Sequence, residues 1–165
     1  MDKPPRDDEI CAFTEAALGC LPISWKGLVV DGQYHESNPD NFDSVLELFG
    51  ADQSSHLTQQ YRANSAVQRP LLPECAPQAS VLSGRAFVRH YDSPTHRTLF
   101  VMTPWLASDN STGLLVVQFE DAKPSGALVT DHWIFMRRDE KGRWQRQPIP
   151  APLKERLYLT TETGG

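Results

Sequence analysis

The stretch HWIFMRRDEKGRWQRQPI, residues 132 to 149, carries two of the four tryptophans of the chain on either side of a charged run. Gly142 ends that run and supplies the positive φ that a hairpin loop of this length commonly needs. Before the loop, residues 133 to 136 read Trp-Ile-Phe-Met, so both faces of this strand must meet apolar cover. The stretch therefore predicts a hairpin whose first strand is central in a sheet beneath helices and whose tryptophans belong to the core.

The residues upstream of this hairpin also have the pattern of β-strands. Five strands are predicted, separated by loops of turn-forming residues: about 81 to 91, 97 to 103, 114 to 120, 127 to 138 and 143 to 149. Because consecutive strands joined by short loops pair with one another, this order predicts an antiparallel meander. A further short extended stretch is predicted around residues 25 to 30.

The first third of the chain has helical periodicity instead. Residues 7 to 18 space their apolar side chains on one helical face, and Gly19 follows the last turn. The same spacing predicts helices at 40 to 49 and at 54 to 63. Helices in front and hairpins behind are typical of an α+β domain, so we expect two or three helices packed on one face of a curved antiparallel sheet of about five strands.

The chain of 165 residues has the length of a single domain. We divide residues 1–165 into a helical part at about 7–63, a proline-rich link at 69–77, the sheet at about 81–149 and a tail at 150–165. The longest apolar runs are far shorter than the roughly 20 residues that cross a bilayer, so no membrane span is expected.

The formal net charge of −5 argues against a nucleic-acid partner, because proteins that bind nucleic acids usually present a basic surface. Acidic residues cluster at the start of the chain and around residues 40 to 52, whereas the hairpin at 132 to 149 is locally basic. A protein partner with a basic surface fits this distribution of charge.

Three cysteines, Cys11, Cys20 and Cys75, have no zinc-binding spacing and allow at most one disulfide bond. On one continuous helix Cys11 and Cys20 would lie about 13 Å apart, which is too far for a disulfide bond. A bond from Cys75 to either of the other two remains open, and so does a fully reduced set.

Five histidines invite a search for metal ligands, but none of them forms a metal-binding motif. The best grouping is His90 and His96, with Asp131 and His132 on a later strand. The chain also lacks the GxSxG, GxGxxG and GxxxxGKS/T signatures of activated serines and phosphate-binding loops. We therefore expect no cofactor, no metal and no enzymatic activity.

A helical segment that ends in Tyr61-Arg62-Ala63-Asn64 is followed by a proline-rich link, by strands, and by the segments Trp133-Ile134-Phe135-Met136 and Lys141-Gly142-Arg143-Trp144. This succession, over residues 57 to 149, resembles small uncharacterised bacterial α+β proteins of the secreted or immunity type, and its layout is similar to that of NTF2-like domains. The resemblance implies a periplasmic protein and, for the immunity type, a role in neutralising an interbacterial toxin. It implies no site residues.

We therefore expect a non-enzymatic protein-binding domain, most concretely an immunity protein that occludes a toxin. Two polar loops carry residues suited to such an interface, in which aromatic anchors are rimmed by charge. The candidate partner-binding residues are Tyr34, His35 and Glu36 in the first loop and Trp105, Asp109 and Asn110 in the second.

An alternative expectation is an NTF2-like domain with a pocket between sheet and helices that binds a small molecule or carries out acid–base chemistry. Its expected lining is His90, Tyr91, Asp131 and His132. A pocket that contains those side chains favours this alternative, whereas a filled core with a flat or convex acidic surface favours the protein interface.

Overall fold

The computed structural model describes residues 5–21, 27–107 and 109–154, with the backbone alone at 51–55. Its helices are α1 (Asp7–Leu18), α2 (Phe42–Phe49), α3 (Ala51–Ser65) and α4 (Gly84–Tyr91). Its strands are β1 (Val29–Asp31), β2 (Ser80–Leu82), β3 (Arg97–Val101), β4 (Trp105–Leu106), β5 (Thr112–Lys123), β6 (Gly126–Arg138) and β7 (Trp144–Gln147). None of the helices in these ranges combines the length and the apolar character needed to cross a membrane.

The seven strands form one mixed sheet in the order β2-β1-β3-β5-β6-β7, and β4 pairs with β5. β1 runs parallel to β2 and β3, and the other pairs are antiparallel. The prediction of an α+β domain is confirmed. The prediction of a purely antiparallel sheet of about five strands is wrong, because the sheet is mixed and has seven strands. The chain passes from β1 to β2 through α2 and α3, and such a helical crossover returns it in the same direction.

The predicted strand at 81 to 91 is a short strand followed by a helix. β2 ends at Leu82, and Gly84, at φ +59°, turns the chain out of the sheet. Within α4, Phe87, His90 and Tyr91 recur at helical spacing and contact the sheet. The pattern interpreted as a strand therefore belongs to the inner face of α4.

Two other predicted segments lie partly outside the described residues. The extended stretch at 25 to 30 overlaps β1, and its first two residues are not described. Of the predicted tail, residues 151–154 are helical and residues 155–165 lie outside the described chain.

β5 and β6 are the centre of the sheet and pair over nearly their whole length. Side chains alternate between the two faces of paired strands. On the first face Leu115 and Ile134 pack against α1, and on the second face Leu114 and Phe135 pack against α2 and α3. The prediction that the helices share one face is therefore wrong, because the unbroken apolar run at 133–136 requires cover on both faces.

α1 lies close to the first face because Gly113 leaves room for it. A Cβ atom at Gly113 would come within 2.5 Å of the Phe13 ring. The same ring meets Trp144 edge-on, with the ring centres 4.9 Å apart. The guanidinium of Arg138 lies over the Trp144 ring, 4.6 Å from its centre. The tryptophan of β7 is therefore part of the packing of α1.

A disulfide bond between Cys11 and Cys75 fastens α1 to the 3-10 turn Pro73–Cys75. This bond resolves the pairing that the sequence leaves open, and Cys20 is a free, half-buried thiol. The bonded residues are 64 apart in the sequence, so the bond removes conformational freedom from the unfolded chain. Such a bond is compatible with an oxidising compartment.

Replacing Gly113 by alanine tests the close approach of α1. A methyl group there would press on the rings and side chains of Phe13 and Leu106, so we expect Gly113→Ala to lower the free energy of unfolding by about 1–3 kcal/mol. Urea denaturation measures the change. Gly19→Ala is the control, because a Cβ at Gly19 meets only backbone oxygens at 3.4 Å. Equal losses in the two variants would contradict the contact.

Removing the disulfide bond should lower the free energy of unfolding by about 2–4 kcal/mol. Cys75→Ala leaves no polar group at this buried position, and urea denaturation without reductant gives the difference from the wild type. A reductant should destabilise the wild type by a similar amount and leave Cys75→Ala unchanged. Cys20→Ala is the control for the loss of a sulfur atom, and a wild type insensitive to reductant would contradict a contribution of the bond.

Candidate functional site

The second face of the sheet has a stripe that the described helices cover only in part, so its residues are half-buried. α2 and α3 pack over Val116, and α4 lies over Thr98, two rows further along the strands. Between them the paired residues Phe100, Gln118 and Asp131 form one row across β3, β5 and β6. This row is the floor of an open-sided cavity of about 530 Å³, which we call the acidic pocket.

One wall of the acidic pocket is α4. His90 Nε2 and Thr98 Oγ1 are hydrogen-bonded at 2.9 Å, and the Tyr91 hydroxyl donates to both carboxylate oxygens of Glu120, each at 3.1 Å. The Tyr91 ring stands edge-on to Phe100. Burial, and then the hydrogen bond to Glu120, raise the pKa of Tyr91, so its hydroxyl stays protonated and continues to donate.

The opposite wall is formed by the part of the loop after β1 that follows Tyr34. His35 pairs through its backbone with the end of β3. Ser37 donates its N–H to the hydroxyl of Tyr61 at 2.6 Å, and Asn38 caps the 3-10 turn Pro39–Asn41 through its side-chain oxygen. This wall is therefore tied to the sheet and to α3.

The pocket is acidic. Its lining contains four carboxylates, Glu36 and Asp40 on the loop and Glu120 and Asp131 on the sheet, and no lysine or arginine among the described lining residues. The Asp131 carboxylate accepts one hydrogen bond, from the amide of Gln118 at 3.3 Å. Burial raises the pKa of Asp131 in spite of that hydrogen bond. A cation in the pocket would offset the cost of burying this charge.

A histidine–aspartate pair stands at the edge of the floor. His35 Nε2 lies 2.7 Å from Asp31 Oδ2 and donates to this carboxylate, while the His35 ring is edge-on to Phe100. Asp31 ends β1, and the parallel register of β1 with β3 places it beside Phe100 on the second face. This hydrogen-bonded pair thus borders the pocket.

The six residues predicted to bind a partner do not form one patch. His35 and Glu36 line the acidic pocket. Tyr34 packs on the opposite face of the sheet, with its hydroxyl 2.7 Å from Thr14 Oγ1. Burial raises the pKa of Tyr34 to about 12, so this residue is a neutral part of the packing around α1.

The residues predicted in the second loop are not among those that line the pocket. Asn110 donates its side-chain amide to Glu9 of α1, and Asp109 is exposed beside it. The prediction that Trp105 anchors a surface patch is wrong, because Trp105 is fully buried and stacked on Tyr61 with the ring centres 3.7 Å apart. β4 pairs with β5 and thereby places this side chain in the core beside α3.

Of the four residues predicted for a pocket, Tyr91 and Asp131 line it. His90 lies behind Tyr91 and is hydrogen-bonded to Thr98. The side chain of His132 is on the opposite face, because neighbouring residues of a strand point to opposite sides. The structure thus brings together half of this set.

Phe100, Gln118 and Glu120 are site residues that the sequence analysis does not identify. A usable signal lies in β5, where the second-face positions change from Leu114 and Val116 to Gln118 and Glu120. The change from apolar to polar residues at a period of two marks the place where the helices stop covering the sheet.

A second cavity, of about 540 Å³, lies between the end of α1 and the turn at 76–79. Its described lining is mostly apolar, with one carboxylate, that of Glu15. Leu21 and Leu28 are among its lining residues, and residues 22–26 are outside the described chain. We therefore place the candidate site in the acidic pocket. Within the described ranges, no group of three or more His, Cys, Asp or Glu side chains is arranged to hold a metal ion.

Comparison with protein-family models, with curated proteins and with solved structures finds no match to this chain. The resemblance to secreted or immunity-type bacterial proteins therefore stays a prediction. The chemistry of the pocket carries the functional argument.

Asp131→Asn should stabilise the protein near neutral pH. An aspartate in the unfolded chain titrates near 3.8, and burial raises the pKa of Asp131 in the folded protein. The negative charge of Asp131 therefore lowers the free energy of unfolding. This loss of stability develops as the pH rises from 3.8 through the raised pKa. Thermal unfolding should show the variant more stable than the wild type at about pH 7, with little difference at about pH 3.

Asp109→Asn is the control, and its stability at neutral pH should change in the opposite direction. The hydrogen bond from the Ser111 hydroxyl lowers the pKa of Asp109, so its charge stabilises the folded state above the unfolded value and the benefit is lost as the pH falls. This variant should be less stable than the wild type at about pH 7. An Asp131→Asn variant that is also less stable at that pH would contradict an uncompensated charge in the pocket.

Proposed function

We propose that the protein is a non-enzymatic binding domain that holds a positively charged group of its ligand in the acidic pocket. The observation that carries the proposal is the lining, which has four carboxylates and, among the described residues, no lysine or arginine. Negative charges gathered around one cavity repel one another, and a cation between them relieves that repulsion.

Glu120 and Asp131 are proposed to hold the cation. They are diagonal neighbours on β5 and β6, at positions about 7 Å apart in an antiparallel pair, so that one ammonium group fits between them. Gln118 donates its amide N–H to Asp131, which leaves the carbonyl oxygen of Gln118 as a third acceptor. An ammonium group carries three N–H donors and would find three acceptors here.

The rest of the lining fits an apolar stem behind the charge. Phe100, Met102 and Val116 form the apolar part of the pocket. Tyr91, which is 39% exposed, adds an aromatic ring to this lining. The proposed ligand class is therefore a primary amine or a guanidinium on a hydrocarbon stem, as in a lysine or arginine side chain.

A second candidate function is that of an immunity protein, with the lysine or arginine supplied by a toxin. What favours it is that acidic residues continue from the pocket onto the exposed side of α2, from Glu36 and Asp40 to Asp43 and Glu47. Such a surface attracts a basic partner and speeds its association. In this proposal the protein acts in the periplasm, with which the disulfide bond is compatible.

Acetyl-lysine amide is the probe that tests the binding site. We expect it to shift the backbone amide resonances around Gln118 and Asp131 in NMR spectra of the wild type, with a Kd of about 1 mM for a ligand of this size. Glu120→Gln and Asp131→Asn should each weaken binding at least about tenfold, because each removes one of the two charges that face the ammonium group.

Glu140→Gln is the matched control, because it removes one carboxylate from the exposed β6–β7 loop and should leave the affinity unchanged. Acetyl-norleucine amide is the neutral counterpart of the probe. Equal binding of the two amides, or no binding of either, would refute the proposal that the pocket selects a cation.

The two sources of the cation are separated by a partner experiment. The chain is coexpressed with the products of the genes next to its own, to test whether one of them is a toxin that binds it. The immunity function predicts a stable complex that Asp131→Asn weakens and Glu140→Gln does not. Binding of the small amides together with no complex would favour a small-molecule ligand.

A further inference from the structure

We infer that protons compete with cations for the acidic pocket, and that His35 and His96 take up those protons. The inference rests on the proposed function and names its regulation. Each histidine is paired with a carboxylate that borders the pocket, His35 with Asp31 and His96 with Glu120. A charge change on either histidine therefore acts directly on the site.

His96 lies behind the pocket floor and is 7% exposed. Its Nε2 is 3.7 Å from Oε1 of Glu120, and its ring centre is 4.4 Å from that of Tyr91. Glu120 is one of the two carboxylates proposed to hold the cation. A positive charge on His96 would neutralise Glu120 from within the protein, and a ligand cation would have to compete with it.

Thr98 accommodates both charge states of His96. Its buried hydroxyl oxygen is 2.9 Å from Nδ1 of His96 and 2.9 Å from Nε2 of His90. When neutral His96 carries its hydrogen on Nε2, Thr98 donates to Nδ1 of His96 and accepts from His90. When His96 gains a proton on Nδ1, part-buried His90 loses its Nε2 proton to solvent and takes one up on Nδ1. The Thr98 hydroxyl then turns and donates to Nε2 of His90. The proton is taken up without leaving a buried hydroxyl unpaired.

His35 acts from the loop wall. The His35 side chain is 30% exposed, so protons from solvent reach it. Neutral His35 donates one hydrogen from Nε2 to Asp31, at 2.7 Å. Protonated His35 keeps that hydrogen bond and adds a positive charge to the lining. The approach of a ligand cation then becomes less favourable.

Histidine is the side chain whose charge changes between about pH 5 and pH 8. Protonation of both histidines sets two positive charges beside the four carboxylates of the lining. The other titratable groups that face the two histidines are Asp31, Glu36, His90, Tyr91 and Glu120. Arg97, next to His96 in β3, is paired with Asp121. A cation bound near neutral pH is thus released by mild acidification.

The affinity of the wild type for acetyl-lysine amide at about pH 7.5 and about pH 5.5 tests the inference. We expect binding to be at least about tenfold weaker at the lower pH. In the His35→Gln/His96→Gln double variant the two affinities should agree within about twofold. His56→Gln, on the exposed side of α3, should retain the full dependence.

An NMR titration of the wild type gives a second test, which does not depend on the folding of a variant. Saturating acetyl-lysine amide should move the histidine ring titrations of His35 and His96 to lower pH, because the bound cation disfavours a second positive charge. The titration of His56 should not move.

The outcomes separate this inference from the proposed function. A wild type that does not bind the probe at about pH 7.5 contradicts the proposed function itself. Binding that is equal at both pH values contradicts the inference alone. A pH dependence that survives in the double variant assigns the effect to Asp131, whose pKa burial raises, and also overturns the role of the histidines.

Discussion

The paired strands β5 and β6 are apolar on both faces over much of their length, and the layers of the molecule follow from that constraint. One face has to be covered by α1, and the other by α2 and α3. The cover by α2 and α3 ends after Val116, so the polar side chains of Gln118 and Glu120 line a cavity there instead of the core. The acidic pocket therefore lies at the boundary of the core and is built on the same paired strands.

Much of the architecture could be predicted from local patterns. The predicted helices at 7–18, 40–49 and 54–63 overlap α1, α2 and α3, because each has an apolar face of sufficient length. The three residues of β1 are too few to show a period, and their parallel pairing is set by a crossover of more than forty residues, which no local pattern contains. The residues of α4 were predicted as part of a strand, because a segment of eight residues is short enough to fit either period.

The site could be predicted less well than the fold, since a pocket depends on which side chains the topology brings together. Tyr91, beside a predicted turn, and Asp131, on a predicted strand, were accessible to sequence reasoning as ionisable residues, and both line the pocket. Trp105 was not, because the surrounding TPWLASDN has the composition of a loop although its tryptophan is in the core. Sequence position cannot distinguish an exposed aromatic residue from one that a two-residue strand carries inward.

The disulfide bond constrains one wall of the pocket and not the other, and this difference affects how a ligand leaves. The loop wall lies within the ring of chain that Cys11 and Cys75 close, whereas α4 lies outside it. Among the described contacts, α4 is held to β3 and β5 by side-chain hydrogen bonds and ring contacts. Local opening of such an element costs less than global unfolding. The loop, by contrast, is tethered on both sides. We therefore expect the residence time of a bound cation to depend on how often α4 detaches, while the loop wall inside the disulfide-closed segment stays in place.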